Sequence, residues 1–272
     1  MSKVLKQSAM WALSAITVIF TFVPESVFGL IKLFPTAPDA VNIIIDRAIA
    51  FLIVFVVLLA LNALYFWCRR KVKIKGRNYT IQVEYGDLFK AKECKIVIDF
   101  DECYTTTVGQ KPGDIKPNSI CGQYLTKHLD LDIEKLIKAA KLQPARGKSK
   151  YQNKIRYNSG SIVPNGDDLL MAFARLDENG LGKFFTRDEY LECISTLWSK
   201  IDKYYGMKDV CIPILGSGLT RFNDASPTQQ ELLDIIIESY KMSSHKIKKP
   251  YKLRIICRRR DDFSLNEIGE TL

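Results

Sequence analysis

The run from Ala48 to Cys68, AIAFLIVFVVLLALNALYFWC, carries no charged residue and is closed by Arg47 on one side and Arg69 on the other. An amphipathic surface helix needs a polar face, and this run has none. As an α-helix rising about 1.5 Å per residue it extends about 30 Å, the thickness of a bilayer's hydrocarbon core. It therefore reads as a transmembrane helix, with a buried core helix as the competing reading. Tyr65, Phe66 and Trp67 stand at its end, where aromatic rings favour the membrane interface. Arg69, Arg70, Lys71, Lys73, Lys75 and Arg77 follow at once, which places the chain beyond them in the cytoplasm and beside lipid headgroups.

A shorter apolar run, residues 7–24, lies between Lys6 and Glu25. A signal peptide competes with a second spanning helix here. The second helix is the reading adopted, because no small-x-small cleavage site precedes Pro24 and a stop-transfer-like segment follows. Residues 25–47 then form a short exterior loop with an apolar patch at Val27, Phe28, Leu30 and Ile31. Both termini are cytoplasmic, in keeping with Lys3 and Lys6. The expected division is a membrane anchor over residues 1–71, with helices at about 7–24 and 48–68, and a cytoplasmic ligand-binding domain over residues 72–272.

The formal net charge of +10 admits nucleic acid, an anionic membrane or a phosphate-bearing ligand as partner. Nucleic acid is set aside, since the basic residues flank the anchor instead of an aromatic-lined groove. A second basic cluster, Lys246, Lys248, Lys249 and Lys252, reads as a solvated loop before a strand. Seven cysteines without CxxC pairs read as free thiols in a reducing compartment. His128 and His245 are isolated, so no metal site is expected.

Past the anchor the pattern alternates between strand and helix. Residues 71–76 and 79–85 alternate apolar and polar side chains, while 95–100, 169–176, 210–215 and 252–257 are short apolar runs of the buried-strand kind. Residues 131–142 have helical spacing, and Thr186 with Glu189 forms a capping-box pattern before another helix. Ser226, Pro227 and Gln229 read as N-cap, N1 and N3 of a further helix. This is an α/β protein with a mixed sheet and helices on both faces.

Four segments can carry chemistry. In Ile214–Phe222 a buried strand runs into Gly216, Ser217, Gly218, Leu219, Thr220 and Arg221. Glycines let backbone N–H groups approach an anion, the hydroxyls donate and Arg221 adds charge, a set suited to a diphosphate; a plain strand–helix turn is the alternative. Asp87, before Leu88, can accept from an exocyclic amine such as that of adenine, or can simply cap a turn. Asp99, Asp101 and Glu102 follow a strand; they read as a general-base or metal site, or as an acidic strand end that binds polar ligand groups. Cys103 has no activating histidine nearby in sequence. Ser119, Ile120 and Gly122 form a second turn able to face phosphate.

Taken in order, these segments resemble a macro domain, the ADP-ribose-binding family. The resemblance implies a three-layer α/β/α mixed sheet over roughly residues 79–260. It makes Gly86-Asp87-Leu88 the adenine-recognising motif, Ser119–Gln123 the first phosphate loop and Gly216–Phe222 the second, with Phe222 flanking the nucleoside. Ile98-Asp99-Phe100-Asp101 stands where hydrolytic members carry N-A-A-N, and the first loop lacks its glycine run, which favours ligand sensing over catalysis. The strings D-F-D-E-C (99–103), S-I-C-G-Q (119–123), I-P-I-L-G-S-G-L-T-R (212–221) and D-D-F-S-L (261–265), together with two transmembrane helices, are similar to the membrane effectors of type II Thoeris anti-phage defence. That likeness implies a protein of the bacterial inner membrane. It also implies an ADP-ribose-derived ligand, amino-acid-linked in one form, made from NAD by a TIR-domain partner enzyme, and a homo-oligomer that disrupts membrane lipid on activation. The alternatives are a membrane-tethered ADP-ribosyl hydrolase using Asp99 or Asp101, and a reader of ADP-ribosylated protein.

Overall fold

The computed structural model describes residues 2–24, 27, 36, 38–184, 186–218, 220–222, 227–259 and 263–268. The chain divides into two compact units, Met1–Arg69 and Arg70–Leu272. Phe28, Leu30 and Ile31 of the expected apolar loop, and Leu219, Ser226, Asp261 and Asp262, lie outside the described residues.

The first unit is a pair of helices, α1 (Ser2–Phe22) and α2 (Asp39–Cys68), both long and apolar enough to cross a membrane. They pack on one another, and Ser8, Ala12 and Ile16, spaced four apart on one face of α1, are buried. Small side chains at that spacing let two backbones approach closely. Ser14, Thr17 and Thr21 donate to the carbonyls four residues back, so their hydroxyls are satisfied within the helix. α2 begins well before Arg47 and runs through Asp46 and Arg47 without a break. Asp39 in its first turn complements the helix dipole.

The second unit is a three-layer α/β/α structure around a nine-stranded mixed sheet, counted among the described residues. In chain order the strands are β1 (Lys71–Lys75), β2 (Thr80–Tyr85), β3 (Cys94–Asp101), β4 (Ile162–Asn165), β5 (Asp168–Leu176), β6 (Gly182–Phe184), β7 (Asp209–Pro213), β8 (Arg221–Phe222) and β9 (Leu253–Cys257). Their spatial order is β1-β2-β9-β7-β3-β5-β6-β8, with β4 also paired to β5. The run from β2 to β5 is parallel, whereas β1 pairs antiparallel with β2 as a hairpin. Alternation along each central strand sends side chains to two cores. Val97, Met171, Ile212 and Ile255 face α5 (Arg187–Tyr204) and α6 (Gln229–Met242). Ile98, Leu170, Cys211 and Ile256 face α3 (Ile120–Lys127), with α4 (Ile133–Ala139) at the margin. Trp198 ties α5 to α6 through its indole N–H on Ser239 Oγ at 3.1 Å and its edge-to-face contact with Tyr240.

Two helix starts sharpen the sequence reading. Thr186 caps α5, accepting from Glu189 N at 3.1 Å, and the Glu189 carboxylate engages Arg175. α6 starts later than its Ser-Pro-x-Gln pattern suggests. Thr228 is the N-cap and Glu231 completes a capping box, its carboxylate accepting from Thr228 N at 2.7 Å. A reciprocal pair that satisfies two end N–H groups outcompetes a lone serine cap. The short strands β4, β6 and β8, and helix α3, have no counterpart in the sequence reading.

Candidate functional site

The carboxyl ends of β3, β7 and β9 open into a cavity of about 520 Å³. This is where open α/β sheets bind ligands, because the loops that leave the strand ends diverge there. Its floor is Asp99 of β3, Pro213 and Ile214 at the end of β7, and Ile256 and Cys257 of β9. Its walls are the segments Gly86–Phe89 and Lys116–Ile120, with Gly216, Ser217, Gly218 and Thr220. The three sequence motifs, far apart along the chain, are thus brought to one hollow.

The glycine wall is held from beneath. Tyr190 donates its hydroxyl to Leu215 O at 2.9 Å, and Ser217 donates N–H and Oγ to Ile214 O. Gly216 has φ +85°, a left-handed conformation that favours glycine, and a Cβ there would press on the Phe222 ring at 3.3 Å. The opposite wall begins at Ser119, the N-cap of α3, which accepts from Gly122 N at 3.0 Å and donates to Lys116 O at 2.7 Å. A Cβ on Gly122 would fall 2.2 Å from Lys116 O. Gly122 is accordingly a packing residue that lets the Lys116–Pro117 segment lie on α3, and the cavity is lined by Ser119 and Ile120 instead. Asp87 caps the short 3-10 turn Leu88–Lys90, with Oδ1 accepting from Phe89 N at 3.0 Å, and it also lines the cavity. The capping reading of this aspartate is met, and its place in the cavity wall leaves it within reach of a bound group.

The two strand-end aspartates separate. Asp99 lines the cavity; its Oδ1 is buried and accepts no hydrogen bond from another described residue, and burial raises its pKa to about 6. Asp101 is absent from the cavity wall. It folds back on its own turn, Oδ1 accepting from Cys103 N at 2.8 Å and Thr105 N at 3.2 Å, and burial pushes its pKa up. Glu102 is committed to structure as well: Oε1 accepts from Ser149 Oγ and Leu176 N, fastening the long 142–159 loop. Burial lifts the Cys103 thiol to about 11, far from a thiolate nucleophile.

Two expected ligand residues also stand elsewhere. Phe222 packs between Phe184 and Tyr190 below Gly216, in a cluster of aromatic rings. Alternation along β8 then turns Arg221 outward, and it is exposed on an edge strand. The positive charge beside the cavity comes from Lys116 and Arg258, which sequence reasoning did not single out. Gln110, Asn118 and Gln229 were missed too. Gln229 is buried at the start of α6 with its amide donating to Arg258 O at 3.3 Å. The sequence reading places it only in the first turn of a helix, as N3 after Ser226. Among the described residues no group of His, Cys, Asp and Glu side chains could hold a metal ion. His128 stacks on Tyr124 and His245 pairs with Asp202.

Fold and cavity together define a macro-type α/β/α domain with a hollow at its strand ends. Residues 81–258 match the family described as "Thoeris protein ThsA, Macro domain", and this chain belongs to that family. A curated relative, the Thoeris protein ThsA of Bacillus amyloliquefaciens (strain Y2), is 26% identical over 265 residues, covering 94% of this chain and 86% of that protein. Among solved structures, the Oceanobacillus iheyensis macrodomain with ADP aligns at 9% identity and TM-score 0.41, covering 71% of this chain and 90% of that one. The macrodomain of Thermus aquaticus DarG aligns at 14% and 0.38, covering 66% and 98%.

Proposed function

We propose that this chain is a membrane-anchored sensor of anti-phage defence, whose macro domain binds an ADP-ribose-type nucleotide and passes the event to its apolar helices. The observation that carries the reading is the cavity itself. It joins a glycine turn shaped for close backbone approach, the Lys116 and Arg258 cations, and one buried carboxylate with an unfilled acceptor. A phosphate answers the first two and a ribose hydroxyl or amine the third. Asp87, Leu88, Ser119, Ile120, Gly216, Ser217, Gly218 and Thr220 line the same hollow. Membership of the Thoeris ThsA family supports the defence role.

In this account the ligand is made from NAD by a TIR-domain partner enzyme and is ADP-ribose or an amino-acid-linked derivative. α1 and α2 hold the chain in the bacterial inner membrane with the macro domain in the cytoplasm. Binding shifts the chain toward an assembled state only if that state binds the ligand more tightly. The assembly then breaches the lipid. Vesicles loaded with dye and carrying the full chain should leak when given the products of the TIR enzyme, and stay sealed with NAD alone. Sealed vesicles under saturating, bound product would remove the membrane step.

A second reading, an ADP-ribosyl hydrolase, is favoured by one observation: a cavity carboxylate with a pKa near 6 suits a general base. Recovery of cleaved ligand, lost in Asp99→Asn, would establish it.

A further inference from the structure

The two basic clusters of the sequence meet in the fold. Lys249 donates through Nζ to Gly76 O at 3.0 Å and Arg77 O at 3.1 Å, and through its backbone N–H to Asn78 O, which sets the 248–250 loop on the β1–β2 turn. β1 is the edge of the sheet, and Lys71, Lys73 and Lys75 are exposed on it while Val72 and Ile74 turn to the core. The facing positions on β2 are Glu84, Gln82 and Thr80. The acid among them is taken: Glu84 Oε1 binds Arg254 at 2.7 Å. Within the second cluster, Lys246 is drawn inward, its ammonium donating to Tyr240 O and Ser243 O and lying over the Tyr79 ring, and Lys252 sits 3.4 Å from Asp209. Lys248 and Lys249 stay exposed. No acidic side chain among the described residues forms an ion pair with Lys71, Lys73, Lys75, Lys248 or Lys249.

Lysines on an edge strand also block edge-to-edge pairing, and that would account for β1 alone. It does not account for a loop from the far end of the chain adding two more cations without acidic partners at the same edge. We propose that this face is a binding surface for anionic lipid headgroups. The inference rests on the membrane-anchored reading, because only Arg69 and Arg70 separate the end of α2 from β1. A domain tethered so closely meets lipid at high effective concentration, so weak attractions suffice. β1 is about 16 Å long at about 3.3 Å per residue, which spreads its charges over a patch instead of a point. Nucleic acid is the competing polyanion, and proximity to the anchor favours lipid.

The test uses the full chain in nanodiscs of phosphatidylcholine, alone or mixed with phosphatidylglycerol. Lysines are modified with an amine-reactive reagent and read by mass spectrometry. Lys71, Lys73, Lys75, Lys248 and Lys249 should react several-fold more slowly in the anionic discs. Lys135 and Lys138 of α4 should react equally in both, and high salt should abolish the difference. In the combined variant Lys73→Glu, Lys75→Glu, Lys248→Glu, Lys249→Glu, Lys71 should lose its protection. Equal reaction in the two discs would overturn the proposal while leaving the anchor intact. Protection by duplex DNA on neutral discs, with none from phosphatidylglycerol, would overturn it in favour of nucleic acid. Failure of the chain to enter either disc would overturn the anchor reading and this proposal with it.

Discussion

Asp99 lines the cavity at a cost to stability. Its carboxyl is desolvated, and the rise from the ordinary 3.8 to about 6 corresponds to about 3 kcal/mol at neutral pH. Because the folded-state pKa is raised, the folded chain binds the extra proton between these values. The penalty is absent below pH 3.8, grows as pH climbs toward 6 and is constant above it. Asp99→Asn should therefore raise the melting temperature at pH 7.5 and lose most of that advantage by pH 4. The same substitution should weaken nucleotide binding at least about tenfold, as loss of a charged acceptor costs about 1.5–3 kcal/mol. A variant that gained stability and kept full affinity would show that Asp99 does not meet the ligand. At this scale the sequence was readable where backbone chemistry decides: Asp87 and the glycines of 216–218 line the cavity, each in a segment marked by its strand end. Side-chain direction was less readable. Arg221 and Phe222 follow the parity of a two-residue strand that no pattern announces, and Asp101 differs from Asp99 through the register shift after Phe100 and the turn it closes. Lys116 and Gln229 reach the cavity through tertiary placement alone.

Among the elements, the Gly216 turn is the most constrained. Gly216→Ala should cost about 1–2 kcal/mol for the left-handed backbone alone. The turn would also shift off Phe222, so binding should fall more than stability does, a comparison that calorimetry and thermal melting make together. Tyr85 joins three parts of the domain. Its N–H donates to Arg70 O at 3.0 Å, its hydroxyl accepts from Leu265 N at 3.2 Å, and its ring meets Phe263 edge-on. Tyr85→Ala should free the segment 263–268 to proteases, read as faster C-terminal trimming of a chain whose core resists. The long elements were legible because their periods are long enough to count: β2, β3, β5, α5 and α6 all follow their apolar spacing. β4, β6 and β8 were not, since two to four residues cannot establish a period and their pairing comes from β5 and its neighbours.

At the scale of the whole molecule, two long apolar helices accompany a macro domain with a cavity at its strand ends. Both helices are exposed along most of their apolar length, with Leu52, Ile53, Val56 and Leu61 among the uncovered side chains of α2. Such a surface suits a membrane or an apolar partner. The full chain should resist extraction by alkaline carbonate, and release into the supernatant would remove the anchor. The helix over 48–68 was the most legible element of the sequence, because an uncharged apolar run of that length needs no tertiary context; the cavity's full lining was not, because it is assembled from loops that only the sheet order brings together. The measurement that bears most directly on the central claim is calorimetric titration of the full chain in nanodiscs with ADP-ribose, repeated for Asp87→Ala and Asp99→Ala, followed by analysis of the recovered nucleotide. Saturable binding, weakened in both variants, with the nucleotide returned intact, is the predicted result. A folded chain that takes up no ADP-ribose or amino-acid-linked ADP-ribose, or that returns it cleaved, would contradict the sensor account.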